Sequence, residues 1–438
     1  MKQVNIIGAG LAGSEAALQL AKRGINVNLY EMRPDKSTGA HKTGNFAEFV
    51  CSNSLGSYDI TNASGLLKHE MEELGSELMP LIFEAKVPAG GALAIDRTLF
   101  SQKITQLIED NPFITVIREE VEEINTDIPT IIASGPLTSD ALTKEIKNFL
   151  GEEYLFFFDA IAPIIEKDSI DFNKAFLLNR YNKGTADYIN CPMNKEEYEK
   201  FYNILINSPK IELKEFEKNA AFFESCLPIE VLASRGIDTL RYGPLKPVGL
   251  VDERTGLENY AVVQLRQDNK AASLYNIVGF QTNLKWGSQK ELIHSIPGLE
   301  NANIVRYGVM HRNTFINSPK TLNPSLQSRK NKNIFFAGQI TGTEGYTESI
   351  ASGLLAGINM WKYLNNEQLI ELSDEMMLGA LMKYITFEGH KSFQPINSNW
   401  GILALMEMDK KTKKNKKLKN ELLANRAINA ARIISGKI

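Results

Sequence analysis

Apolar residues fill positions 4–7 and stop at Gly8; positions 11–22 repeat them at helical spacing, and positions 25–30 alternate apolar with polar. A short buried run, a segment of period 3.6 and a segment of period 2 predict strand, helix, strand, the unit of a parallel sheet. The polar, glycine-containing stretch 33–53 predicts a loop. Leu66, Leu67, Met71, Leu74 and Leu78 recur at helical spacing, so residues 64–82 predict one helix with Ser64 as its cap. A helix over 99–108 and a strand over 114–117 follow.

Two further apolar runs predict strands that end in glycine. Residues 130–133 run into Ser134-Gly135-Pro136, and residues 334–337 run into Gly338, with a helix over about 347–363 behind it. Although far apart in the chain, both fit one sheet. The stretch between them then becomes an insertion, rich in aromatics, with strands over 260–265 and 274–281. The predicted architecture is α/β. Residues 1–150 and 300–438 form a Rossmann-like FAD-binding domain of the two-dinucleotide-fold type, and 151–299 form an inserted α+β domain carrying Cys226. The tail predicts a helix over 418–434.

Gly8-Ala9-Gly10-Leu11-Ala12-Gly13 follows the first strand and opens the first helix, and the second strand leads to Glu31. This context makes G-x-G-x-x-G informative. Gly8 permits the tight turn, Gly10 lets the backbone approach a pyrophosphate, and Gly13 lets helix and strand pack closely. The helix start offers N–H groups and a positive dipole end to phosphates. Glu31 suits ribose hydroxyls and disfavours a 2′-phosphate. The later segment Ala337-Gly338-Gln339 with Gly342-Thr343-Glu344-Gly345-Tyr346 resembles the C-terminal motif of two-dinucleotide-fold flavoproteins. There a strand end and a helix start meet the flavin, which points to FAD rather than NAD and adds Gly338, Gln339 and Tyr346 to the site. Ala351, Ser352, Gly353, Ala356 and Gly357 equally suit close helix packing.

The remaining composition narrows the setting. The 438 residues carry a formal net charge of −3, with 43% hydrophobic and 23% charged residues, an ordinary globular balance. No apolar run approaches the ~20 residues that span a bilayer. The first strand begins almost at Met1, which leaves no room for a signal peptide. Three cysteines without short spacing predict neither a disulfide framework nor a metal site, and so a cytoplasmic protein. Seven lysines within residues 410–419 form either a solvated surface or a phosphate-contacting patch. On residue chemistry alone, Cys51, Cys191 and Cys226 each read as a small buried hydrophobe rather than as a nucleophile. Cys226 lies among Glu224 and Glu230, so an activated thiolate there needs a base or a cation such as Arg235 or Lys246.

Several long, polar stretches together resemble one family. They are the segment from Gly8 to Ala16, Tyr30-Glu31-Met32-Arg33-Pro34, Val50-Cys51-Ser52-Asn53-Ser54-Leu55, Val87-Pro88-Ala89-Gly90-Gly91-Ala92-Leu93-Ala94, the Cys226 segment, Lys246-Pro247-Val248-Gly249-Leu250, Tyr260 to Arg266, and Tyr307 to Thr314. Spread over essentially the whole chain, they resemble the bacterial folate- and FAD-dependent tRNA (uracil-5-)-methyltransferases. The resemblance implies 5,10-methylenetetrahydrofolate as one-carbon donor, FAD as carrier, NADPH or NADH as reductant, and C5 of a T-loop uridine as acceptor. It implies Cys226 as the nucleophile that adds to C6 of the uracil, and Cys51 as a second catalytic cysteine near the flavin. Covalent addition divides a difficult C–C bond formation into easier steps, and the target base must leave its stack. Cys191 is expected to be structural, and Tyr346 is a candidate to stack on folate or base.

Two positions depart from the family pattern: Gly56 where arginine is usual, and Ser234 where a basic residue is usual. The loss of positive charge keeps 23S ribosomal RNA as an alternative target. A wobble-uridine modification enzyme or a flavoprotein oxidoreductase without RNA are the remaining alternatives. No membrane partner is expected, and with RNA implied the lysines of 410–419 become candidates for backbone contact.

Overall fold

The computed structural model describes residues 2–152, 155–182, 186–211, 227–252 and 254–438. Its first sheet has five parallel strands in the order Ile334–Phe336, Thr130–Ile132, Gln3–Ile7, Asn26–Tyr30, Ile114–Ile117. The two distant glycine-ended strands are thus neighbours, with Ile334 opposite Thr130. The central strands are buried on both faces, which is why they read as continuous apolar runs.

The second sheet has six antiparallel strands, ordered Phe176–Leu177, Tyr188–Met193, Ala261–Gln267, Leu274–Ile277, Ile164–Glu166, Ile304–Arg306. A two-stranded ribbon, Leu155–Ala160 against Met310–Phe315, lies between the sheets in the chain. A small sheet of Ser54–Ser57, Ala92–Ile95 and Lys86–Val87 follows the first loop. The strand expected over 274–281 stops at Ile277. Gly279 there takes φ +77°, and a Cβ on it would lie 2.4 Å from Pro244 Cβ.

Helix Tyr346–Leu364 packs on helix Leu11–Ala21 at near backbone contact. A Cβ on Gly353 would stand 2.3 Å from Ala12 O, and one on Gly357 would stand 2.9 Å from Gln19 Cβ. The small residues of the second motif therefore serve packing, whatever else they do.

The single helix expected over 64–82 is two, Ala63–Glu73 and Leu78–Glu84, and Asn62 rather than Ser64 precedes the first. Gly75 at φ +76° turns the chain. Glu15, reaching over from the first helix, then caps the new helix start: it accepts from Ser76 Oγ at 2.8 Å, Glu77 N at 3.0 Å and Leu78 N at 2.9 Å. Periodicity persisted through the break because both helices face one core.

Glu70 does the same for helix Met377–Ile385, accepting from Met377 N at 2.6 Å and Leu378 N at 2.9 Å. The helix has no side-chain cap of its own. Burial pushes the Glu70 carboxyl up to about 8, the two amide bonds pulling it back only part way. Glu70→Ala is expected to cost about 2–4 kcal/mol, since it strands two buried donors and leaves a void. A carboxyl raised on folding contributes stability fully below its unfolded value and loses it as pH rises through its folded value. Melting temperature is therefore expected to fall between about pH 5 and about pH 9 more steeply for wild type than for Glu70→Gln. Parallel pH profiles in calorimetry would show that Glu70 does not titrate in this range.

The tail forms helices Lys410–Lys414 and Lys416–Ser435. The second packs on Ala63–Glu73, with Asn420 Nδ2 donating to Thr61 O at 3.0 Å and Arg432 Nε to Glu73 at 2.9 Å. All seven lysines between 410 and 419 are exposed.

Candidate dinucleotide site and the cysteine loop beside it

A cleft of about 990 Å³, counted with its open mouth, lies at the C-terminal ends of the parallel strands, where ligands of such sheets bind. One wall is the first turn, Gly8, Gly10, Leu11 and Ala12. Residues 134–138, which follow the strand beside Gly8, also line the cleft, with Glu31 at the end of the strand on one side and Gly338, Gln339 and Tyr346 after the strand on the other.

Steric facts explain the glycines. Gly8 takes φ +100°, and its Cβ would lie 2.6 Å from Ala133 O. A Cβ on Gly13 would lie 1.8 Å from Gly8 O, so turn and helix are in contact there. Gly10 has nothing within 4 Å of such a Cβ; it faces the open cleft. Helix Leu11–Ala21 starts behind it with no side-chain cap, leaving its first N–H groups directed at the cleft. Gly338, at φ +83°, donates its N–H to Ser352 Oγ at 2.7 Å.

Of the ten expected cofactor residues, Ala9 and Gly13 do not line the cleft. Ala9 is turned behind the wall, donating to Glu31 Oε2 at 3.1 Å and accepting from Ala47 N at 2.9 Å. Gly13 sits beneath Gly8. The other eight converge on the cleft.

Arg33, which lies in a motif stretch but had no assigned role, grips Glu31 through Nε at 2.9 Å and Nη2 at 3.1 Å, and also approaches Glu48 at 3.3 Å. Burial raises the Glu31 carboxyl, but the Arg33 bonds and charge outweigh it, and the net shift is downward. Glu31 is thus an ionised acceptor. Arg33 is committed to carboxylates and not to a 2′-phosphate. A cleft lined by an uncapped helix start, an ionised carboxylate on one side and the second glycine motif on the other fits FAD.

The loop of Cys51 meets the second-motif side. Tyr346 Oη accepts from Cys51 N at 2.7 Å and Ser52 N at 3.3 Å, and its ring lies on Phe49 with centroids 4.1 Å apart. Tyr346 is thereby held in place, one side to Phe49 and one to the cleft. Cys51 Sγ lies 3.7 Å from Ala160 O.

Two arginines hold this loop, and a third pairs beside them. Arg306 Nη2 donates to Val50 O at 2.7 Å, and Arg266 donates to Ser52 Oγ at 2.7 Å and Asn53 Oδ1 at 3.1 Å. Arg97 pairs with buried Asp268 at 2.6 Å. Burial and then the Arg97 charge lower the Arg306 pKa. Arg97 Nη1 and Asp268 Oδ1 have no hydrogen-bond partner among the described residues. Arg266 stood in one of the motif stretches; Arg97, Arg306 and Asp268 gave no signal, because strand-end charges look alike whether they face solvent or a site.

Cys226 lies outside the described residues. The chain on either side is pinned to 281–284: Ile211 N donates to Asn283 O at 2.9 Å, Ile229 N to Gln281 O at 2.7 Å, and Glu230 accepts from Thr282 Oγ1 and Asn283 N. Cys191 is fully buried in the second sheet, and burial pushes its thiol up. Among the described residues no group of three or more His, Cys, Asp or Glu is placed to hold a metal ion, and no helix is long and apolar enough to cross a membrane.

This fold and cleft define a flavoprotein of the GidA type. The family model described as glucose inhibited division protein A matches residues 3–368. A solved structure of GidA from Aquifex aeolicus superposes with TM-score 0.71 at 17% identity, covering 99% of this chain and 73% of that one. Relatives named methylenetetrahydrofolate–tRNA-(uracil-5-)-methyltransferase TrmFO are far more similar. That of Bacillus subtilis (strain 168) is 57% identical over 435 residues, 99% of each chain. That of Anoxybacillus flavithermus is 58% identical over 426 residues, 97% of this chain and 98% of its own. The chain belongs to the GidA family and, within it, to the group that carries this methyltransferase name.

Proposed function

We propose that the protein transfers a one-carbon unit from 5,10-methylenetetrahydrofolate to C5 of a uridine in tRNA, with FAD as cofactor and NADPH or NADH as reductant. The observation that carries this reading is a thiol-bearing loop fixed against the second-motif end of the dinucleotide cleft, in a chain 57% identical to relatives of that name.

When bound, FAD supplies redox chemistry and carries the one-carbon unit. Gly8, Gly10 and the helix start at Leu11 and Ala12 hold its pyrophosphate, with Ala9 and Gly13 shaping the turn behind them. Glu31 accepts from ribose hydroxyls. Gly338, Gln339 and Tyr346 bound the flavin end. Cys226 adds to C6 of the uracil, and Cys51 stands at the flavin end as the second cysteine. Arg266 and Arg306 fix the Cys51 loop.

The target uridine is tested by mass mapping of unmodified tRNA transcripts and 23S rRNA fragments after reaction with methylenetetrahydrofolate and NADPH. A methyl group on one T-loop uridine of tRNA is expected. Methylation of the rRNA fragment alone would reassign the substrate. Gly56 bears on this choice, since its φ of +74° favours glycine over an arginine. No product on either RNA would sink the reading.

A further inference from the structure

Trp286 opens helix Trp286–His294 and is 61% exposed. It is nevertheless ordered by a neighbour: its ring stacks on Tyr307 with centroids 5.5 Å apart and planes 16° from parallel. The stack covers one face of the indole and leaves the other open.

Buried Gln289 ties together the backbone segments that carry the two rings. Its Nε2 donates to Leu284 O at 2.7 Å, just before Trp286, and to Gly308 O at 2.9 Å, just after Tyr307; its Oε1 accepts from Gly308 N at 2.8 Å. Gly308 has no space for a side chain, since a Cβ would lie 2.6 Å from Thr282 Cγ2 and 2.7 Å from Ile161 O. The rings are fixed before any ligand arrives, which lowers the ordering cost of binding.

The pair stands at the rim of the Cys51 loop. Arg306, next to Tyr307, donates to Val50 O, and Ile161 N donates to Val309 O at 2.8 Å beside Ala160, the neighbour of Cys51 Sγ. Exposed Lys285 precedes Trp286, exposed Lys290 lies one turn on, and exposed Lys210 pairs in a β-bridge with Leu284, with Glu291 the acid on the same turn. An open, rigid aromatic face among lysines matches the chemistry of a single-stranded nucleic acid, bases on the ring and phosphates on the cations.

Resting on the RNA reading above, we propose that the open face of Trp286 is a stacking platform for a base of the substrate RNA, beside the uridine that reacts. Base–aromatic stacking tolerates any base, so the platform positions the strand and does not read its sequence.

The test uses full-length protein and an unmodified tRNA transcript. Trp286→Ala is expected to weaken RNA binding about tenfold or more. Trp286→Phe is expected to bind within a few-fold of wild type while losing the RNA-induced quenching of tryptophan fluorescence. The slope of affinity against salt should not change in Trp286→Ala, whereas replacing the lysines of 410–419 should flatten it. Flavin absorbance and methylenetetrahydrofolate binding are measured alongside. Wild-type affinity in Trp286→Ala overturns the platform and leaves the RNA reading standing. Loss of flavin or folate binding in that variant assigns the pair to a cofactor and also overturns it. Absence of RNA binding by wild type overturns both.

Discussion

Gly13→Ala is expected to give protein without bound flavin and with stability lowered by about 3 kcal/mol or more. The added methyl would stand 1.8 Å from the carbonyl of Gly8, so helix and turn must separate. Gly8 has no freedom to yield, because its own far side is closed by Ala133 O. The whole first turn must therefore move, taking with it the N–H groups that face the cleft. Gly10→Ala is the informative control. Its methyl meets no protein atom within 4 Å, so folding should be near normal while the approach of a pyrophosphate is obstructed. Flavin absorbance of purified protein and a melting curve separate the two. Wild-type flavin content in Gly13→Ala would falsify the steric account of the turn.

What the sequence made legible were features with a local cause. The G-x-G-x-x-G turn, Glu31 at the next strand end and the two glycine-ended strands each follow from backbone geometry within a few residues, and all meet at one cleft. Features that arise only by assembly were not legible. Glu15 and Glu70 read as ordinary helix residues, yet each caps a helix that lies elsewhere in the chain. The break at Gly75 was hidden because the apolar period runs on across it. Arg33, Arg97, Arg306 and Asp268 acquire meaning only from what they face. The second-motif glycines had two readings, packing and cofactor, and the geometry supports packing at Gly353 and Gly357 and a cleft wall at Gly338. From the sequence, Tyr346 is a candidate surface for a ring to stack on. Its ring already lies on Phe49, and its hydroxyl holds the Cys51 loop.

The two cysteines of the proposed mechanism differ in what their loss should do. A thiolate adding to C6 of uracil makes C5 an enolate-like carbon able to form the new C–C bond; loss of the C5 proton then expels the thiolate. Removing that thiol removes the only route by which C5 becomes nucleophilic, so Cys226→Ala is expected to lower 5-methyluridine formation by about a thousandfold or more. RNA affinity and flavin content are expected to stay near wild type, since the thiol acts only on the bound base. RNA carrying 5-fluorouridine at the target gives a sharper reading. With fluorine at C5 the final proton loss cannot occur, and the thioether to C6 persists as a protein–RNA adduct visible by mass. Wild type should form it, and Cys226→Ala should not. Cys51 is placed differently: its amide is tied to Tyr346 and its thiol lies against Ala160 O, at the second-motif end of the cleft. If its role is on the flavin side, Cys51→Ala should lose methyl transfer and with it the persistent adduct, while thiolate addition to C6 still exchanges the C5 hydrogen of an unfluorinated target uridine with solvent. Adduct formation by Cys226→Ala, or loss of C5 hydrogen exchange in Cys51→Ala alone, would exchange the two roles.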